Sequence, residues 1–152
     1  LSGQIGIIHV GASSDIELKE KRDRVDDAVC ATRAALEDGI LPGGGVALRD
    51  IAKIVGAKEV DTLEERVAGA IMEQVLRYPY NQILINAGME DNTTDPKRGH
   101  GIDVKVNKSG SMTKMGIIDP TKVTKSAVAN AISVATTILS TNAIITNIRQ
   151  ES

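Results

Sequence analysis

The stretch Arg24–Leu48, RVDDAVCATRAALEDGILPGGGVAL, constrains the fold more than any other, because a helical pattern runs almost directly into three consecutive glycines. Val25, Ala28, Val29, Ala35 and Leu36 recur at helical spacing, with Thr32 as the one polar member, so one face of that helix must pack. Asp27 sits beside the stripe. Gly39 falls where the helix must stop, at a left-handed position that costs a glycine nothing. Pro42 then restricts the residue before it to extended backbone, so Ile40-Leu41-Pro42 is expected to be extended. A carboxylate on a rigid rod near glycine backbone that can approach a ligand is what a phosphate-handling site needs. Taken singly, Asp27 is an ordinary solvated helix charge, and Gly43, Gly44 and Gly45 are as readily a turn as a phosphate cradle.

Around this stretch the pattern predicts a mainly α chain with a few short strands. Gln4–Val10 (QIGIIHV) reads as a strand with apolar residues on both faces. Ser14-Asp15-Ile16-Glu17 is a capping box that starts a helix running to Asp38. A second helix begins in the glycines and carries Val46, Leu48, Ile51, Ile54 and Val55. A third, opened by Asp61-Thr62-Leu63-Glu64, runs to about Arg77, where Tyr78-Pro79 is expected to break it; a short fourth helix follows from Pro79 to Gly88. Met89 to Gly101 is a polar loop, Ile102 to Val106 alternates as a half-buried strand, and Asn107 to Ser111 turns the chain. Asp119-Pro120 starts the last helix, with Asp119 as cap and Pro120 at the first helical position. That helix is apolar nearly all round, which predicts a place at the centre of its domain. Ala143 to Ile148 closes as a strand. No internal repeat is present.

A chain of 152 residues is one domain or pieces of two. It has no Phe or Trp, and its only aromatics are Tyr78 and Tyr80, so the core is built from Ile, Val, Leu and Ala and offers little for base stacking. The net charge of −2 argues against a nucleic-acid or membrane-surface partner, and the one basic cluster, Lys97, Arg98 and His100, is short. The single cysteine, Cys30, is expected to be a buried, inert thiol in a reducing, cytoplasmic setting. No apolar run reaches the roughly 18 residues of a spanning helix. Asn92-Thr93-Thr94 is read as polar loop rather than a glycosylation site. The start at Leu1, with an apolar strand almost at once, is expected of a piece of a longer chain. His9 and His100 stand alone and are not expected to ligate a metal.

Two blocks, LKEKRDRVDDAVCATRAALEDGILPGGGVAL and, far downstream, MGIIDPTKVTKSAVANAISVA, closely resemble the GroEL-type group I chaperonins. The likeness runs from Leu1 to about Asn147 and is weak between Val55 and Gly101. It implies a helical bundle of the chaperonin equatorial type with a long intermediate-domain helix. Residues 1–38 would be the end of the apical domain and the second half of the intermediate domain, and residues 39–152 the second half of the equatorial ATPase domain. By the same resemblance Asp27 matches the carboxylate lowered over bound ATP to orient the attacking water. Gly44 matches the glycine whose backbone approaches the nucleotide, Asp119 the acid that contacts the ribose, Ile117 an apolar position packing on the base, and Gly39 the lower hinge. Asp103 stands where the family commonly has Asn beside the adenine, since its Tyr-Asn-Ala is here Ile102-Asp103-Val104; Asp accepts a hydrogen bond but cannot donate one. Asn142 and Asn147 replace acids usual in the family.

The resemblance also implies ATP and Mg2+ as cofactors of the full-length protein, assembly into rings, and unfolded clients and a co-chaperonin lid engaged through other domains. The family's Gly-Asp-Gly-Thr-Thr-Thr loop and its magnesium-binding acid are not in this sequence, so the metal site is incomplete here. One wall of an ATP site is thus expected, with no hydrolysis or refolding by the 152 residues alone and with self-association through unpaired strand edges. The competing readings are a non-enzymatic helical packing or oligomerisation module and a stand-alone hydrolase using Asp27. The latter lacks a second acid, His or nucleophile arranged with it.

Overall fold

The structure is a computed structural model that describes residues 5–89, 97–143 and 145. Four helices dominate it: α1 (Asp15–Asp38), α2 (Val46–Gly56), α3 (Leu63–Asn86) and α4 (Thr121–Leu139). Four short strands, β1 (Ile40–Pro42), β2 (His100–Asp103), β3 (Lys108–Ser111) and β4 (Ile118–Pro120), form two separate antiparallel pairs, β1 with β4 and β2 with β3. The expected mainly α class holds.

The Ser14 hydroxyl accepts the Glu17 N–H (3.3 Å) at the start of α1, as a cap should. The Glu17 carboxylate reaches back to the N–H of Ser13 (3.1 Å), one residue further than the capping box requires. Lys21 lies 2.9 Å from the same carboxylate. The Lys21 bond first, and the Ser13 bond second, hold the Glu17 carboxyl below its ordinary range. The strand expected over Gln4–Val10 is absent from the described residues 5–10, where Ile5 is 89% exposed. Apolar alternation makes a strand only when another strand supplies the hydrogen bonds, and no described segment pairs there.

Gly39 ends α1 at φ 82°, a conformation only glycine enters freely. The extended run that follows is β1, whose Leu41 lies opposite Asp119 of β4. This corrects the expected role of Asp119. It belongs to a strand, Pro120 occupies the cap position of α4 with no side-chain bond, and the Thr121 N–H donates instead to the Gly39 carbonyl (3.0 Å). Lys122 pairs with Glu37, and that partner raises the Lys122 ammonium above its ordinary value. The foot of α1 is thereby tied to the head of α4.

The core lies between α2, α3 and the β2–β3 hairpin, where Val46, Tyr80, Leu84 and Met112 are buried together. The break expected at Tyr78-Pro79 does not occur: α3 continues through Pro79 to Asn86. The buried stripe Leu76, Tyr80, Leu84, spaced four apart, spans the proline, and its packing against α2 outweighs the local penalty. The helix is capped by Thr62, which accepts the Glu65 N–H (3.2 Å), one residue later than the Asp61/Glu64 pairing predicted. Gly45 packs so closely on α3 that an added Cβ would lie 2.7 Å from the Tyr80 nitrogen.

The hairpin also departs from expectation. Its first strand begins at His100 rather than Ile102, the turn occupies 104–107, and Lys108–Ser111, expected as a turn, is a strand. Asp103 explains the shift, because its carboxylate accepts the Lys105 N–H (2.9 Å) and closes a local turn. Asn107 supplies the left-handed residue at φ 50°. The alternation of Ile102, Val104 and Val106 mimicked a strand across that turn.

Two further corrections concern exposure. Helix α4, expected at the centre, has no buried residue, and Leu139 is 84% exposed. Among the described residues mainly α1 and β4 pack against it, which cannot cover a helix apolar nearly all round. Cys30 is exposed rather than buried. The expected strand Ala143–Ile148 lies largely outside the described residues.

Candidate functional site

The glycine turn is held from two directions. The Gly43 N–H donates to the Ile117 carbonyl (2.9 Å), and the Ile117 N–H to the Met112 carbonyl (2.9 Å), so the chain before β4 is bonded onto the turn. Gly44 and Gly45 take φ 66° and 77°, and α2 starts immediately after them. A Cβ on Gly44 would lie 3.0 Å from Met112 Cε, so a side chain there would be strained and crowded at once.

Beside this turn is a cavity of about 400 Å³ lined by Gly44, Ile102, Asp103, Lys105, Met112 and Ile117, with α3 behind. Three residues singled out from sequence, Gly44, Asp103 and Ile117, thus meet around one space. Its walls are mainly aliphatic, and Asp103 and Lys105 bring opposite charges to it. Asp103 lends one carboxylate oxygen to its own turn.

Asp119 is placed elsewhere. It lines a second cavity of about 320 Å³ with Pro42, Gly45, Pro79 and Val123. Asp27 is exposed on α1 and lines neither cavity. Twelve residues at 1.5 Å each put it roughly 18 Å along the helix from Gly39. The structure therefore gathers three of the candidate residues and leaves Asp27 apart. A Cβ on Gly39 would meet nothing within 4 Å, so the space beside that one residue is open. Among the described residues no group of three or more His, Cys, Asp or Glu is placed to hold a metal ion, and no helix is long and apolar enough to cross a membrane.

Sequence reasoning passed over Arg49 and Asp50. Arg49 is only 3% exposed; its guanidinium lies 3.0 Å from the Asp50 carboxylate, donates to the His100 carbonyl (2.6 Å) and stacks 4.5 Å from the centroid of the Tyr80 ring. Asp50 in turn accepts the Gly99 N–H (2.6 Å). The signal was present in the sequence: Val46, Arg49 and Ala52 recur every three residues, so Arg49 lies within the buried stripe of α2.

The architecture is that of a mainly α protein whose ligand-sized cavity is built where a glycine turn, a helix and a small hairpin converge. The chain belongs to the TCP-1/cpn60 chaperonin family, whose model matches residues 1–149, and that family consists of protein-folding chaperonins. At the level of the chaperonin family, the reading of the two sequence blocks is therefore borne out.

Proposed function

We propose that this chain supplies one wall of the ATP site in a group I chaperonin subunit, a ring-forming, cytoplasmic machine that helps unfolded clients to fold. Residues 1–38 then belong to the end of the apical and the second half of the intermediate domain, and residues 39–152 to the second half of the equatorial domain. The observation that supports this reading best is the convergence of Gly44, Asp103 and Ile117, from three separate parts of the chain, on one cavity. The residues present suit a nucleoside. The volume admits a purine, Ile102 and Ile117 offer flat apolar contact, the Asp103 carboxylate accepts from an amino group, and Gly44 keeps the mouth clear of side chains.

ATP is the substrate in this reading, and magnesium arrives on its phosphates. This chain's own residues hold the base, keep the glycine backbone close to the nucleotide, and bring an acid to the attacking water. Gly39 is the hinge that lowers Asp27, and Asp119 takes the ribose. The co-chaperonin lid and clients act through other parts of the subunit. The test is titration calorimetry of the full-length protein with magnesium ATP. Saturable binding that weakens at least tenfold in Gly44→Val is expected, since a strained, branched side chain at φ 66° would fill the mouth of the cavity. Wild-type affinity in a folded Gly44→Val protein would refute the assignment.

A non-enzymatic packing module is the second reading, and the uncovered apolar surface of α4 favours it for the 152 residues taken alone. Those residues are expected to self-associate at micromolar concentration, because so much exposed apolar helix drives burial against another copy. Sedimentation velocity decides this. A single monomeric species with a sharp cooperative melt would contradict it.

A further inference from the structure

The β2–β3 hairpin carries Ile102, Asp103 and Lys105 into the cavity, yet among the described residues its strands pair only with each other. An isolated two-stranded hairpin is marginal in water, so its position depends on what fastens it to the helices. Two contacts beside its first residue come from adjacent side chains of α2. Arg49 donates to the His100 carbonyl (2.6 Å), and Asp50 accepts the Gly99 N–H (2.6 Å). The same guanidinium stacks on Tyr80 of α3, at 4.5 Å from the ring centroid. One buried cation thus joins α2 to α3 and to the hairpin, and the last two line the cavity. One residue further on, Gly101 meets the first turn of α2 so closely that a Cβ would lie 2.6 Å from Val46 Cγ2. The first turn of α2 follows directly on Gly44 and Gly45.

We propose that Arg49 and Asp50 are positioning residues that clamp the hairpin to α2 and so fix the distance across the cavity between the Gly44 turn and Asp103. The inference rests on the nucleotide reading above and adds to it which residues set the base-binding half of the site. Neither side chain needs to touch the nucleotide. Planar, forked Arg is suited to serving a carboxylate, a carbonyl and an aromatic face together; Lys is a point donor and cannot serve all three. Burial makes the pair interdependent, because removal of one charge leaves the other uncompensated.

The test uses the full-length protein with Arg49→Met, Arg49→Lys and Asp50→Asn. Hydrogen exchange over residues 100–111 and titrations with magnesium ATP and with magnesium tripolyphosphate are the readouts. Should loosening leave the hairpin docked about a tenth of the time, ATP affinity falls about tenfold, while tripolyphosphate, which lacks a base, changes less than about twofold. Faster exchange confined to the hairpin accompanies this loss. Arg49→Lys, which keeps the charge, and Asp50→Asn, which keeps the shape, carry the test if Arg49→Met does not fold. Equal weakening toward ATP and tripolyphosphate, or unchanged ATP affinity in folded variants, would overturn the proposal while leaving the nucleotide reading in place. Wild-type protein that binds no ATP would remove both.

Discussion

Replacing Asp27 with alanine is expected to slow ATP hydrolysis by the full-length protein by about two to four powers of ten, the usual worth of a positioned base or water-orienting carboxylate. Binding of ATP should change little, because Asp27 lines neither cavity near the glycine turn. The split between rate and affinity is the informative part. A residue that only stabilised α1 would lower both, and on this exposed helix face an Asp→Ala change should scarcely affect folding. Single-turnover hydrolysis with a parallel binding titration measures the split. Wild-type hydrolysis, or a matching fall in affinity, would remove Asp27 from the role assigned to it.

The second large effect is on stability. Gly45→Ala adds a methyl group 2.7 Å from the Tyr80 nitrogen and 3.0 Å from its Cα, both of which are backbone that cannot rotate away. It also forces alanine to φ 77°. The left-handed conformation costs about 1–2 kcal/mol, and overpacking against a fixed neighbour about 1–3 kcal/mol more. At the few degrees per kcal/mol usual for a domain of this size, a fall in melting temperature of roughly 10 °C is expected. Gly116→Ala is the control, since it shares the positive φ, at 75°, but its added Cβ meets nothing within 4 Å. Its loss should be less than half as large. Equal losses would mean that the close contact of the glycine turn with α3 contributes nothing beyond the backbone angle.

Local chemistry was legible in the sequence at both ends of α1 and in the run that follows it. Ser14 and Gly39 ended α1 where their side-chain and backbone preferences require, and Ile40-Leu41-Pro42 came out extended. Where long-range packing decides, the sequence misled. Pro79 should stop a helix, but Leu76, Tyr80 and Leu84 find α2 on one continuous face and carry α3 past it. The spacing of Val46, Arg49 and Ala52 places Arg49 on the buried stripe of α2, but nothing nearby in sequence shows that the His100 carbonyl and the Tyr80 ring will surround it. Helix α4 shows the reverse problem. Its composition speaks of burial, while the described chain provides too little to bury it. In the site, the glycine cluster and the family resemblance pointed to Gly44, Asp103 and Ile117, which do converge. Asp27, marked by its place on the helical rod as well as by the resemblance, and Asp119, given its ribose role by the resemblance, stand outside that cavity in this conformation.

The bond from Thr121 to the Gly39 carbonyl and the Glu37–Lys122 pair give the long first helix a braced fulcrum. With an arm of roughly 18 Å, a tilt of only 10° there would carry the Asp27 carboxylate through about 3 Å, the reach of one hydrogen bond. Small adjustments where β1 meets the last helix are therefore geared up at the far end of the lever, and under the proposed nucleotide reading a substitution at that joint is expected to change timing rather than affinity.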